Sequence, residues 1–297
     1  MTSGAVVRIG TRESQLALAQ ARIAMEALAA RGLAAQLVPI STRGDAISAQ
    51  SQDAGWVEVD GQFTREIERA LLDDRIDLAV HSYKDLPIAP VDGLVIGAVL
   101  ERADARDCLV TADGGGIDDL PFGARVGTSS PRRAAQLGAR RPDLTAVPIR
   151  GNVDTRLARL TRGDFDGVIL AAAGLDRLSV SVPDHQRLPY DLVLPAPAQG
   201  ALAIQLRAAD EALLAAVREV DHAPTRIAVE AERSLLQWIG GGCFAPLGAL
   251  GLVSGGELHL RAAFDAASGP IRRAEARGSA EVPDAVVARV AEQIARA

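Results

Sequence analysis

A chain of 297 residues, 48% hydrophobic and 24% charged, carries enough apolar material for about two or three cores, which excludes a disordered protein. Its 38 acidic residues outnumber 32 basic ones, and the net charge of -6 argues against nucleic acid, whose phosphates need a basic face. Met1 to Gly10 holds no basic stretch followed by a long apolar one, so neither a signal peptide nor a membrane span is expected, and a cytoplasmic location follows.

Val6 to Gly10 reads as a short buried strand, followed by an amphipathic helix from Ser14 to Ala30 and a strand from Leu37 to Ile40. The polar stretch Ala46 to Gly61 has no period, and its length suits either a lid or an idle surface insertion. A helix from Thr64 to Asp73 and strands at Asp77 to His81 and Leu94 to Val99 continue a βαβ rhythm. It resumes with strand Arg125 to Gly127, helix Pro131 to Gly138, strand Ala146 to Ile149 and helix Val153 to Arg162. Strands Gly167 to Leu170 and Leu192 to Leu194 close that stretch. Two α/β units are therefore expected. A composition change near Asp221 opens an α+β region: helix Thr225 to Ile239, a glycine-rich loop, and strands near Leu247 to Leu252 and Leu258 to Ala263.

Ligands of open α/β sheets bind beyond the carboxyl ends of strands, and the arginines gather there. Gly127-Thr128-Ser129-Ser130-Pro131-Arg132-Arg133 follows a strand and opens a helix, presenting hydroxyls, free N–H groups and two guanidiniums to an anion. Arg150-Gly151-Asn152-Val153-Asp154-Thr155-Arg156 repeats the design, with Asn152 or Asp154 as the helix cap, and Arg12 ends the first strand. One such cluster is compatible with ordinary capping and solvated charge; two, with Arg12, point to a ligand bearing several carboxylates. His81-Ser82-Tyr83-Lys84-Asp85-Leu86-Pro87 ends another strand and projects Asp85, a candidate base or cation stabiliser, into the same region. Lys84 is the sole lysine, and Lys84 with Asp85 also reads as a local ion pair. His81 suits a structural hydrogen bond, and His185, His222 and His259 lack metal-ligand spacing, so no metal is expected. Cys108 and Cys243 lie far apart and are expected to be free thiols. Cys243 follows three glycines, which suits either a small apolar residue past a helix end or a thiol offered to a ligand.

These segments, with Arg8 to Gln20 and Pro195-Ala196-Pro197-Ala198-Gln199-Gly200-Ala201, resemble the porphobilinogen deaminase family over nearly the whole chain. The resemblance implies two periplasmic-binding-protein-like α/β domains plus a smaller C-terminal α+β domain. The implied boundaries are 1–101 with 200–220, 102–199, and 221–297. It implies a transferase of porphyrin and heme biosynthesis that polymerises four porphobilinogen molecules, with loss of ammonia, and releases hydroxymethylbilane by hydrolysis. The implied cofactor is a dipyrromethane bound to Cys243 as a thioether. By motif position Asp85 is catalytic, and Ser14, Lys84, Asp85, Thr128, Ser130, Arg132, Arg133, Arg150 and Arg156 bind the cofactor. Arg12, Phe63, Arg150, Arg156, Arg177 and Gln199 are the implied substrate-binding residues.

Two departures from the family pattern stand out. Glu58-Val59-Asp60-Gly61-Gln62-Phe63 replaces a lysine-bearing Gly-Gly-Lys-Gly-Leu-Phe, and Ala198 replaces a frequent glycine, limiting backbone freedom. The alternative function is a non-catalytic anionic solute-binding protein. No large exposed apolar stripe argues for more than a monomer, and porphobilinogen is the only partner implied.

Overall fold

The computed structural model describes residues 6–42, 64–241, 245–266 and 270–296. The predicted lid Ala46 to Gly61, Phe63 and Cys243 lie outside the described residues. β1 (Val7–Arg12) leads through α1 (Gln15–Ala29) to β2 (Ala35–Ile40); α2 (Arg65–Leu72) leads to β3 (Leu78–Ser82), and β4 (Leu94–Val99) follows. A second run holds β5 (Asp107–Thr111), β6 (Arg125–Gly127), α3 (Pro131–Arg140), β7 (Thr145–Val147), α4 (Val153–Thr161), β8 (Gly167–Ala171) and α5 (Ala172–Arg177). The chain then returns, and β9 (Leu202–Arg207) inserts between β3 and β4. The first sheet therefore has the order β2-β1-β3-β9-β4, and the second β5-β8-β6-β7. After α6 (Glu211–Arg218) and α7 (Ala223–Trp238) comes an antiparallel sheet of β10 (Leu247–Ser254), β11 (Glu257–Phe264) and β12 (Arg272–Ser279). Helices α7 and α8 (Pro283–Arg296) pack against it.

Each α/β sheet is a parallel core crossed by one antiparallel strand: β9 against β3 and β4, and β5 against β8. Parallel strands covered on both faces must be apolar throughout, and β3 and β8 are buried along nearly their whole length. In the first core Ile9, Leu78, Val80, Ile204 and Leu206 meet the buried stripe Ala21, Ala24 and Leu28 of α1. Each large aliphatic side chain buried there contributes about 1.5–3 kcal/mol.

The two sheets are joined by two chain crossings lying side by side, with Leu100 N–H donating to Leu202 O (3.0 Å) and Ala103 N–H to Gly200 O (3.3 Å). The contact is so close that a Cβ on Gly200 would stand 2.6 Å from the Ala103 carbonyl oxygen, and Gly200 has φ +90°. Ala198 has φ +62°, a left-handed conformation that costs an L-residue about 1–2 kcal/mol, which is where the missing glycine is felt.

The predicted strand Leu192 to Leu194 is absent. Side chains occupy its backbone groups: Leu194 N–H donates to Gln136 Oε1 (2.8 Å), and Leu194 O accepts from Gln136 Nε2 (3.0 Å) and Arg132 Nη1 (2.6 Å). A segment whose ladder groups are taken by side chains has no use for a neighbouring strand.

His81 is structural, as expected. Its Nε2 lies 3.1 Å from Gln205 Oε1, and Gln205 Nε2 donates to Glu68 Oε1 (3.4 Å). Burial pushes the imidazole down from 6.5 to about 4. Between those values the unfolded chain binds a proton that the folded chain refuses. The stability contributed by neutral His81 is therefore complete above pH 6.5 and is lost as pH falls toward 4, by up to about 1.4 kcal/mol per pH unit. Glu68, pushed up by burial, acts in the opposite sense. Thermal unfolding between pH 7 and 4.5 should thus show a steeper acid loss in the wild type than in His81→Gln, and parallel curves would remove this role.

Candidate active site

Most of the predicted site residues stand at the carboxyl ends of parallel strands. β1 ends at Arg12, and Ser14 caps α1 by accepting from Ala17 N–H (3.3 Å). β3 runs into a 3₁₀ turn, Tyr83–Asp85, which holds Asp85 exposed and Lys84 half-buried. β6 is followed by Thr128, whose Oγ1 accepts from Ser130 N–H (3.2 Å), and Ser130 caps α3 by accepting from Arg133 N–H (3.4 Å). Pro131 occupies the first turn of that helix, where its missing N–H is harmless. Asn152, not Asp154, holds the cap position of α4, without a side-chain cap bond. Arg177 closes α5 and donates from Nη2 to Gly200 O (2.7 Å), touching the crossing directly.

Ser129, which sequence reasoning passed over, fastens the two anion-binding loops together. Its Oγ donates to Ile149 O (2.8 Å) and accepts from Ile149 N–H (2.9 Å), which fixes the backbone next to Arg150. Also missed was Asp107, at the start of β5 and completely buried. Its Oδ1 accepts from Arg133 Nε (3.1 Å), Arg133 Nη2 (2.6 Å) and Gln199 Nε2 (2.9 Å), and its Oδ2 lies 2.8 Å from Arg132 Nη1. Burial alone would raise this carboxyl, but Arg132 and Arg133 outweigh it and hold Asp107 well below the usual range. Buried charges require such pairing. The sequence carried no local signal for this pairing, since Arg133 lies 26 residues further along the chain.

Arg133 is thereby turned inward, with its third nitrogen, Nη1, donating to Ile169 O (3.0 Å). Arg132 pairs inward too, yet also lines a cleft with Lys84, Ser130, Arg233, Leu236 and Ala245. Gln199 links the halves, since Lys84 Nζ donates to its Oε1 (3.3 Å) while its Nε2 serves Asp107 and the Ala105 carbonyl (2.8 Å). The cleft is crowded with cations. Burial pushes Lys84 down to about 8, with Arg133 and Arg132 adding to the effect against the carboxylates of Asp85 and Asp107. Burial likewise brings Arg156 to about 10, with Arg133 adding and Asp85 opposing, and Arg177 to about 10. Cations depressed in this way gain most from an anionic ligand, whose charge restores what burial removed.

The comparisons follow the same outline. A family model described as porphobilinogen deaminase, dipyromethane cofactor binding domain, matches residues 7–215. The chain belongs to the porphobilinogen deaminase family. A second model of that family, its C-terminal domain, matches residues 226–296. A porphobilinogen deaminase from Desulforudis audaxviator is 47% identical over 283 residues, 94% of this chain and 91% of the relative. One from Nocardia farcinica is 50% identical over 248 residues, 84% of this chain and 70% of the relative. Among solved structures, a periplasmic substrate-binding protein of an ABC transporter from Coxiella burnetii aligns with a TM-score of 0.44 at 17% identity, covering 77% of this chain and 97% of that one. Membership of an enzyme family leaves the solute-binding alternative without support. Among the described residues no helix is long and apolar enough to cross a membrane.

The residues present fit a dipyrromethane, whose acid side chains make it a polyanion. Lys84, Ser130 and Arg132 line one cleft together with Ala245, two positions beyond Cys243 in the chain.

Proposed function

We propose that the protein makes hydroxymethylbilane from four porphobilinogen molecules in this cleft, with Asp85 as the catalytic group and Cys243 as the tether of a dipyrromethane. The observation that carries the site assignment is the cation-lined cleft, whose lining includes both Lys84, the chain neighbour of Asp85, and Ala245, two positions past Cys243 in the chain. When bound, the dipyrromethane supplies the free pyrrole carbon to which units are added, and it stays with the protein when product leaves.

Lys84, Ser130 and Arg132 would hold its carboxylates, with Ser14, Thr128, Arg133, Arg150 and Arg156 completing the surround. Arg12, Arg150, Arg156, Arg177, Gln199 and Phe63 would receive incoming porphobilinogen. Thr128, Arg133 and Gln199 act largely by fixing the loops, because their polar atoms already serve protein partners. Loss of ammonia from porphobilinogen leaves positive charge on the pyrrole ring. The Asp85 carboxylate would accept the pyrrole N–H and offset that charge where it develops, the placement from which an electrostatic catalyst gains most.

The boundaries 1–101 with 200–220, 102–199 and 221–297 are part of the same reading, supported by the return of β9 into the first sheet. A cytoplasmic monomer is proposed as well.

Intact-mass measurement tests the tether. The folded wild-type protein should exceed its sequence mass by one dipyrromethane, and Cys243→Ser should not. An unmodified mass in a correctly folded wild-type preparation would remove the cofactor assignment.

A further inference from the structure

Arg233 projects from α7 onto the turn that carries Lys84 and Asp85. Its Nη1 donates to Leu86 O (2.9 Å) and Tyr83 O (3.3 Å), its Nη2 donates to Pro87 O (2.6 Å), and its Cζ lies 4.6 Å from the centre of the Tyr83 ring. Those carbonyls are the first of the 3₁₀ turn and the two that follow it, so one planar fork is seated against the C-terminal end of the turn that carries Asp85. Only a guanidinium can do this: its donors diverge in a fixed plane while its face stacks on an aromatic ring. Tyr83 itself is buried at 5% exposure in a cluster that includes Leu86, Val99 and Val229. The opposite end of the turn is separately fastened. Ser82 and Gln20 exchange hydrogen bonds (2.8 and 3.1 Å), and Tyr83 N–H donates to Ala201 O (3.1 Å). Among the described residues Arg233 forms no salt bridge, and it lines the same cleft as Lys84, Ser130 and Arg132.

We infer that Arg233 is a positioning residue for the reaction: it fixes the Tyr83–Asp85 turn at the distance from the C-terminal region that coupling requires, acting through Asp85. This rests on the function proposed above. Helix α7 carries both this clamp and the adjacent Glu232, which joins it to the crossings, so the turn is referenced to the element from which the chain runs on toward Cys243. A displacement of about 1 Å at a reacting group costs up to a hundredfold in rate. Losing the fork should therefore appear in turnover and not in affinity.

The test compares the wild type with Arg233→Met, which keeps an apolar stem over Tyr83, and Arg233→Lys, which keeps the charge and one point of donation. All are loaded with cofactor as checked by intact mass. With porphobilinogen as substrate, Arg233→Met should lower kcat by about ten- to a hundredfold while KM stays within about twofold, and Arg233→Lys should recover part of kcat. Amide hydrogen exchange of Tyr83 and Leu86 should accelerate in the same order. A loaded Arg233→Met enzyme with kcat within about twofold of wild type overturns the inference, as does a raised KM at unchanged kcat, which would make Arg233 a carboxylate holder. If Arg233→Met does not fold or load, Arg233→Lys decides on the same two criteria. A wild-type protein without the dipyrromethane mass, or inert toward porphobilinogen, sinks the underlying function and this inference with it. An active wild type with indifferent Arg233 variants sinks this inference alone.

Discussion

Asp85→Ala should reduce porphobilinogen turnover by about a thousandfold while leaving the protein folded and its mass excess intact. The carboxylate is exposed on a short turn, so its removal should change stability by no more than about 0.5 kcal/mol. Its electrostatic neighbours are Lys84 and Arg156, both strained by burial as cations. Asp85 therefore sits where its negative charge can be shared between fixed cations and a positively charged pyrrole. Asp85→Asn separates charge from shape: it retains a hydrogen-bond acceptor but not the charge, so it should be nearly as inactive as the alanine variant. Asp85→Glu keeps the charge on a longer arm and should be intermediate. Single-turnover kinetics on cofactor-loaded protein would show the loss in the chemical step. Near-normal turnover by Asp85→Ala would withdraw the catalytic role, and an active Asp85→Asn would move the role from charge to hydrogen bonding.

How far the sequence was readable depends on whether a feature is local. β4 runs Leu94–Val99 as predicted, and β1, β6 and the starts of α1 and α3 lie at or within a residue or two of their expected places, because apolar runs and helix-starting residues act on their immediate neighbours. The false strand at Leu192 to Leu194 has the same apolar signal, and only the approach of Gln136 and Arg132 from another segment cancels it. Clustering of arginines at strand ends was also legible. Whether each faces ligand or protein was not, because that depends on Asp107, which meets Arg132 and Arg133 through tertiary contact. The Arg233 clamp was invisible for the same reason: Arg233 lies on one face of a helix, and its acceptors are backbone carbonyls that carry no sequence identity.

Glu232→Gln is expected to cost about 3–5 kcal/mol and to lower the midpoint of thermal unfolding by about 10 °C, an isosteric change with a large effect. Glu232 has 0% exposure. Its Oε1 accepts from Arg102 Nη1 (2.6 Å) and Gly251 N–H (2.6 Å), and its Oε2 from Ala198 N–H (2.6 Å) and Arg102 Nη2 (3.1 Å). All four partners are donors. A glutamine must turn its NH₂ toward one pair of them, replacing two charge-assisted bonds with opposed donors and leaving the guanidinium of Arg102 uncompensated. That guanidinium also donates from Nε to Gln199 O (2.8 Å), so the loss reaches both crossings together with β10 and α7. Ala198 feels it most, because its left-handed backbone is held by the N–H bond to Glu232. Replacing both partners separates pairing from packing: Arg102→Met with Glu232→Leu should cost less than either single change, since no buried charge is then stranded. Calorimetry of the two single variants and the double variant measures this coupling, and a Glu232→Gln protein melting within about 2 °C of wild type would show that the junction does not depend on the charge.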